Sequence, residues 1–163
     1  DVIWAVRTSK LTGDTAGYGQ IVPLLNPTHD ELSSWVGFVY EIEDKTNGKK
    51  YIGKKTLWSK RRLPPLKGKK RKRIQIKESG WKDYYGSNEE VKGLVEAHGG
   101  DRFIRTVLRL CKTKGELSYY EAKEQFDRDV LFDPMYYNEF IGLKVHSKHL
   151  GDIDGRRREK VCE

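Results

Sequence analysis

The feature that most constrains the fold is an apolar pattern of period two from Val36 to Ile42, which runs into Thr46-Asn47-Gly48 and resumes from Lys50 to Gly53. Alternation at every second residue buries one side of an extended strand, and Asn-Gly between two such runs marks a chain reversal. A β-hairpin follows, and its register depends on the loop. A two-residue Asn47-Gly48 turn sets Tyr51 opposite Asp44 and leaves Tyr40 about 13 Å further along, at ~3.3 Å per residue. A four-residue loop, Asp44-Lys45-Thr46-Asn47, sets Tyr40 opposite Tyr51 on one face, with Cβ atoms about 4.5–5.5 Å apart.

Other elements group around this hairpin. Val2 to Thr8 reads as a strand, followed by a Gly/Pro-rich loop, and Thr28 with Glu31 forms a capping box for a short helix before Trp35. Pro64 and Pro65 end any helix begun at Thr56. Ser87 with Glu90 caps a helix whose Val91, Leu94, Val95 and His98 recur at helical spacing up to Gly99-Gly100. Phe103 to Cys111 is rich in strand formers. Thr113 with Glu116 opens a last helix, whose stripe Tyr119, Ala122, Phe126 and Val130 is expected to face the core. These elements define an α+β fold, a small, mostly antiparallel sheet flanked by helices.

The 163 residues suit one ordinary domain with short extensions. A formal net charge of +8 favours an anionic partner, nucleic acid or a membrane surface. No apolar run approaches the roughly 20 residues that span a bilayer, and the first residues lack a signal-peptide layout, so an intracellular, cytoplasmic protein without a membrane segment is expected. Cys111 and Cys162 form neither a zinc-ligand spacing nor a disulfide framework, and Cys111 reads as a small buried hydrophobe.

The hairpin Phe38-Val39-Tyr40 and Tyr51-Ile52-Gly53 resembles the motif of the GIY-YIG nucleases. Arg61 follows Tyr51 by ten residues, where that family carries an arginine. Glu121 heads Glu121-Ala122-Lys123-Glu124-Gln125-Phe126, similar to the family's metal-binding glutamate with an aromatic five positions later, and Tyr137-Asn138 resembles its Tyr-Asn. Gly53-Lys54-Lys55, Trp58-Ser59-Lys60-Arg61 and Tyr84-Tyr85-Gly86-Ser87 are most similar to Seg-type phage endonucleases, for which the location would be the host cytoplasm. The resemblance divides the chain into an N-terminal extension (1–35), a nuclease domain (36–142) with a basic insertion (62–80), and a basic tail (143–163). Phe38-Val39 replaces Gly-Ile, and Pro65 stands one turn after Arg61, where the family has a histidine or tyrosine. Tyr84 or Tyr85 is the candidate to fill that position.

The resemblance implies hydrolysis of phosphodiesters in double-stranded DNA with Mg²⁺ or Mn²⁺, through Tyr40, Tyr51, Arg61, Glu121 and Asn138. Tyr40 is the expected general base and Tyr51 its helper. A tyrosine, with a reference pKa near ~10, is a poor base unless cations lower that value, and Lys54, Lys55 and Arg61 are the candidates to do so. The planar guanidinium of Arg61 matches phosphate, and the single carboxylate of Glu121 suits Mg²⁺, which keeps several waters. Function therefore favours the longer hairpin loop. DNA contacts are expected from Lys54, Lys55, Lys60, Arg62, Lys69, Lys70, Arg71, Lys72, Arg73 and Tyr85.

Each residue has a plainer reading. Tyr40 and Tyr51 taken singly are packing residues, and Arg61 is one more solvated cation. Glu124 is the rival of Glu121, and Asn138 is equally a cap or turn residue. The rival functions are a non-catalytic basic RNA-binding module and an inactive nuclease relative that binds DNA. Sequence specificity, nicking against paired cuts, and oligomeric state are open.

Overall fold

The computed structural model describes residues 4–7, 21–24 and 29–146, with 5–7 and 21–24 as backbone only. Its centre is a five-stranded sheet, β1 (Trp4–Arg7), β2 (Ile21–Leu24), β3 (Gly37–Asp44), β4 (Lys50–Thr56) and β7 (Phe103–Cys111), in the order β2-β1-β7-β3-β4. Only β1 and β7 pair in parallel. Strands β5 (Trp58–Leu63) and β6 (Arg73–Glu78) form a separate two-stranded ribbon, and the helices are α1 (His29–Leu32), α2 (Glu89–His98) and α3 (Lys114–Asp127). The α+β architecture with a mostly antiparallel sheet is the one expected. Strand β2 falls in a stretch expected to be loop, and Pro23 is accommodated because β2 is an edge. Thr28, Cys162 and the tail beyond residue 146 lie outside the described residues.

Alternation along β3 and β4 divides the core into two layers. Phe38, Tyr40 and Ile42 join Trp4, Leu57, Trp81 and Val91 on one face, while Val39, Ile52 and Leu108 meet Leu117, Tyr120 and Val130 on the other. Cys111 is buried in the second layer, which pushes its thiol up to about 12. Helix α3 is turned relative to the expected stripe: Leu117, Tyr120, Ala122 and Gln125 are buried, whereas Phe126 is 58% exposed. The sheet presents Val39 and Ile52 to Leu117 and Tyr120, and the Gln125 amide is drawn inward by the Ile52 carbonyl, 3.1 Å away. Thr113 caps α3 as expected, accepting from the Glu116 N–H. The cap of α2 is Asn88, one residue past the expected Ser87.

One buried carboxylate ties three separate segments together. Asp44, at the end of β3, accepts from Arg102 Nε and Nη2 at 2.8 and 2.7 Å, from the Thr46 N–H and from the Tyr137 hydroxyl. The Arg102 guanidinium holds the Asp44 carboxyl well below the usual carboxylate range. The folded state therefore binds this proton less tightly than the unfolded chain does. The pair's full contribution is present above the ordinary carboxylate pKa of about 4 and is lost as pH falls below it. Asp44→Asn should destabilise the fold, because it removes the counter-charge of Arg102 and weakens the bonds from Thr46 and Tyr137. Urea denaturation against pH checks this: the wild type should lose stability below about pH 4 more steeply than the variant.

Candidate active site

The hairpin loop has four residues, Lys45 to Gly48, so Glu43 pairs with Lys50, Ile42 with Tyr51 and Tyr40 with Gly53. This corrects the register expected for a loop starting at Asp44. The frame moves by one residue because the buried Asp44 stays in the ladder, its N–H donating to the Lys49 carbonyl. A shift of two in register preserves the face, so Tyr40 and Tyr51 are diagonal neighbours with ring centroids 6.2 Å apart. Gly53 is required by this register. A Cβ there would overlap the Tyr40 hydroxyl, lie 2.7 Å from the carbon bearing it and lie 3.0 Å from Tyr51 Cε1. Without that Cβ, the Tyr40 phenol extends across β4, the last strand of the sheet.

Two further groups complete the tyrosine face. The segment after β6 brings in Tyr84, whose ring stands edge-on to Tyr40 at 5.9 Å with Lys55 Nζ 4.0 Å above it. Arg105, buried between Trp4 and Tyr85, fixes that segment by donating to the Lys82 and Tyr84 carbonyls at 2.9 and 3.0 Å. Ser87 lies 2.9 Å from the Tyr51 hydroxyl, which explains why it does not cap α2. Tyr85, half-buried, packs on Phe103 and Arg105, and Tyr84 is the one beside Tyr40.

Glu121 approaches from α3, on the other side of the sheet. Its carboxylate pairs with Lys54 Nζ at 2.7 Å, next along the edge strand from Gly53, and Lys54 also donates to Ser118 Oγ. Glu121 nevertheless acts on both phenols, contributing to the upward shift of Tyr40 and of Tyr51. The dominant cause of both shifts is burial, and Tyr84 adds to each. Among the described residues no group of three or more His, Cys, Asp or Glu is placed to hold a metal ion. Glu124 is engaged elsewhere, with Arg128 at 3.2 Å, and Arg128 also pairs with Glu41.

The cations expected to lower Tyr40 are deployed differently. Lys54 serves Glu121, Lys55 sits over Tyr84, and Arg61 is exposed in mid-ribbon opposite Gln75, its side chain without a hydrogen bond or ion pair to another described residue. Burial thus moves the Tyr40 phenol upward, opposite to the lowering that the expected role as general base calls for. Asn138 is turned from solvent, and both ends of its amide are used: the Ile52 N–H donates to Oδ1 at 2.9 Å, and Nδ2 donates to the Ile52 carbonyl at 2.8 Å. Its amide positions the edge strand.

Lys60, Arg62 and the run Lys69 to Arg73 lie on the ribbon or in its connecting loop, all exposed. Ten of the chain's 32 basic residues and one of its 24 acidic residues fall within 58–78, so this segment carries +9 and the remainder −1. No helix begins at Thr56, where the chain runs on into this ribbon.

A family model described as "Putative endonuclease segE, GIY-YIG domain" matches residues 24–141. The protein "Putative endonuclease segE" of Enterobacteria phage T4 is 30% identical over 101 residues, 62% of this chain and 39% of that protein. The chain thus spans 39% of the length of this curated relative. No solved structure matches.

Burial raises the pKa values of Tyr40, Tyr51 and Tyr137, so these phenols should resist ionisation beyond the ordinary range near ~10. Ultraviolet titration of phenolate checks this, and Tyr40→Phe should remove one late-titrating group while leaving the early ones unchanged.

Proposed function

Because the chain belongs to the GIY-YIG endonuclease family, we propose that it hydrolyses phosphodiester bonds of double-stranded DNA at the exposed edge of β4, with a divalent cation held by Glu121. The observation that carries this reading is the convergence at Gly53 and Lys54: the tyrosines come over the edge from one face of the sheet, and a carboxylate arrives from the other. Glu121 is partly exposed and is paired with a single lysine, whose ammonium stands where a cation would bind. A lone carboxylate suits a largely hydrated Mg²⁺ or Mn²⁺ and does not suit a metal caged by protein ligands. Such an ion would neutralise charge on the phosphoryl and leaving oxygens and lower the pKa of water.

The chain's own groups supply the rest. The +9 ribbon, with Arg61 and Arg62 among its cations, neutralises phosphates of the duplex. Lys54, once displaced from Glu121, and Lys55 on the tyrosine face are two further cations beside the scissile phosphate. Tyr40 keeps its proton and, with Tyr84, would donate to a phosphoryl oxygen, while the attacking water, its pKa lowered by the ion, would release its proton to bulk solvent. Tyr51, held by Ser87, borders the same space. The placement of Arg61 on the ribbon, apart from the tyrosines, favours the second reading of a protein that binds DNA without cutting it.

Cleavage of supercoiled plasmid with added Mg²⁺ separates the two readings. Glu121→Gln should lower the rate by on the order of a thousandfold, since losing the ion forfeits several kcal/mol of barrier stabilisation. Its DNA affinity without metal should be equal or slightly higher. Glu124→Gln loses its Arg128 pair and serves as the control, with cleavage largely retained at a temperature where it is folded. Wild-type protein that binds and never cuts would establish the binding-only reading. Loss of cleavage in Glu124→Gln alone would move the metal ligand by one helical turn.

A further inference from the structure

A second concave site lies between α1, the base of the ribbon and the start of α3, outside the tyrosine cluster. It encloses about 680 Å³. Trp35 and Trp58 are half-buried in its wall, with His29 edge-on to Trp58 at 4.8 Å. Lys60 from β5 and Lys112 and Lys114 from the junction of β7 and α3 line it, and none of them has an ion pair to another described residue. The lining contains no aspartate or glutamate. Concentrating three ammonium groups without a counter-charge is repulsive, and an anion relieves it.

We propose that this cleft binds one unpaired nucleotide unit of a DNA strand, its base against the Trp35 and Trp58 walls and its flanking phosphates on the three lysines. Aromatic surface beside cations is the chemistry of single-strand binding, because every base offers a π-face and every linkage a charge. A base inside a duplex is already stacked on its neighbours and does not enter a cavity of this size. The position agrees with the proposed cleavage site, on which the choice of a DNA strand rests. Thr56, at the rim of the cleft, is three residues along β4 from Gly53, about 10 Å at ~3.3 Å per residue. That distance is roughly three nucleotides at about 3.4 Å each. An unpaired nucleotide here would sit a few positions from the phosphate at the edge strand.

The test is fluorescence anisotropy in chelator with a labelled thymidine tetranucleotide, an abasic tetranucleotide of equal charge, and competing free thymidine monophosphate. The tetranucleotide should bind about tenfold or more tightly than the abasic strand, the scale of one base–aromatic contact. Trp58→Leu, accepted only if its melting shows a folded protein, should remove that preference. Lys112→Ser/Lys114→Ser, at exposed positions, should weaken both strands and flatten the log–log salt slope by about 1.4, at ~0.7 per single-strand phosphate contact. Equal affinity for the two strands, or no effect of the lysine pair, would overturn the proposal. Monophosphate that competes as well as the tetranucleotide would make the ligand a free nucleotide and overturn the strand assignment. Plasmid cleavage by the wild type is read in parallel. Cleavage without tetranucleotide preference overturns the cleft alone, whereas preference without cleavage keeps the cleft and sinks the nuclease reading.

Discussion

Strand β4 ends the sheet, so its outward backbone groups have no neighbouring strand, and Asn138 substitutes for one with its side-chain amide. It accepts from the Ile52 N–H and donates to the Ile52 carbonyl, the pattern a paired strand would present. The segment leading to Asn138 continues that edge, with the Lys50 N–H donating to Met135 and the Tyr137 N–H donating to Lys50, both carbonyls. Gln125 adds a third bond at Ile52. At about 1 kcal/mol each these bonds are modest, but left unmade they would cost more, since the Ile52 backbone has no other partner on that side. Clamping Ile52 fixes Tyr51 and Gly53 on either side of it, and hence the whole tyrosine face.

The clamp stops at Ile52, and the next outward residue is Lys54. Three segments distant in sequence meet there: β3 contributes Tyr40, the stretch after β6 contributes Tyr84, and α3 contributes Glu121. Each is held by a buried polar contact of its own. Arg105 anchors the Tyr84 segment, Asp44 with Arg102 and Tyr137 fixes the hairpin end, and Arg128 links α3 to Glu41 on β3. The chemistry is thus placed by rigid elements, while the charge that would attract DNA is carried almost wholly by a ribbon beside them.

The hairpin was legible in the sequence because period-two burial has few alternatives, and the two tyrosines kept their common face because a register error of two does not change parity. What was lost is tertiary. Nothing local says that Asp44 stays in the ladder, since its partner Arg102 is 58 residues away. The turn of α3 was missed because Gln125 is polar by composition and buried only through the Ile52 carbonyl. The ribbon was hidden by its prolines and lysines, which read as a basic insertion, although Ile74, Gln75 and Ile76 were available as a strand signal. Tyr84 was nameable as a candidate from its position in the chain, whereas its separation from Tyr85 required knowing which ring Arg105 would hold.

In the proposed site Glu121 and the tyrosines share one space across the edge of β4, although they project from opposite faces of the sheet. Paramagnetic broadening by Mn²⁺ tests it without any cleavage. On titration of the ion into ring-labelled protein, the Tyr40, Tyr51 and Tyr84 resonances should broaden before those of Tyr119 and Tyr137, and Glu121→Gln should abolish that order. Broadening that spares the three rings, or that survives unchanged in Glu121→Gln, would place the ion elsewhere and rule out a shared site.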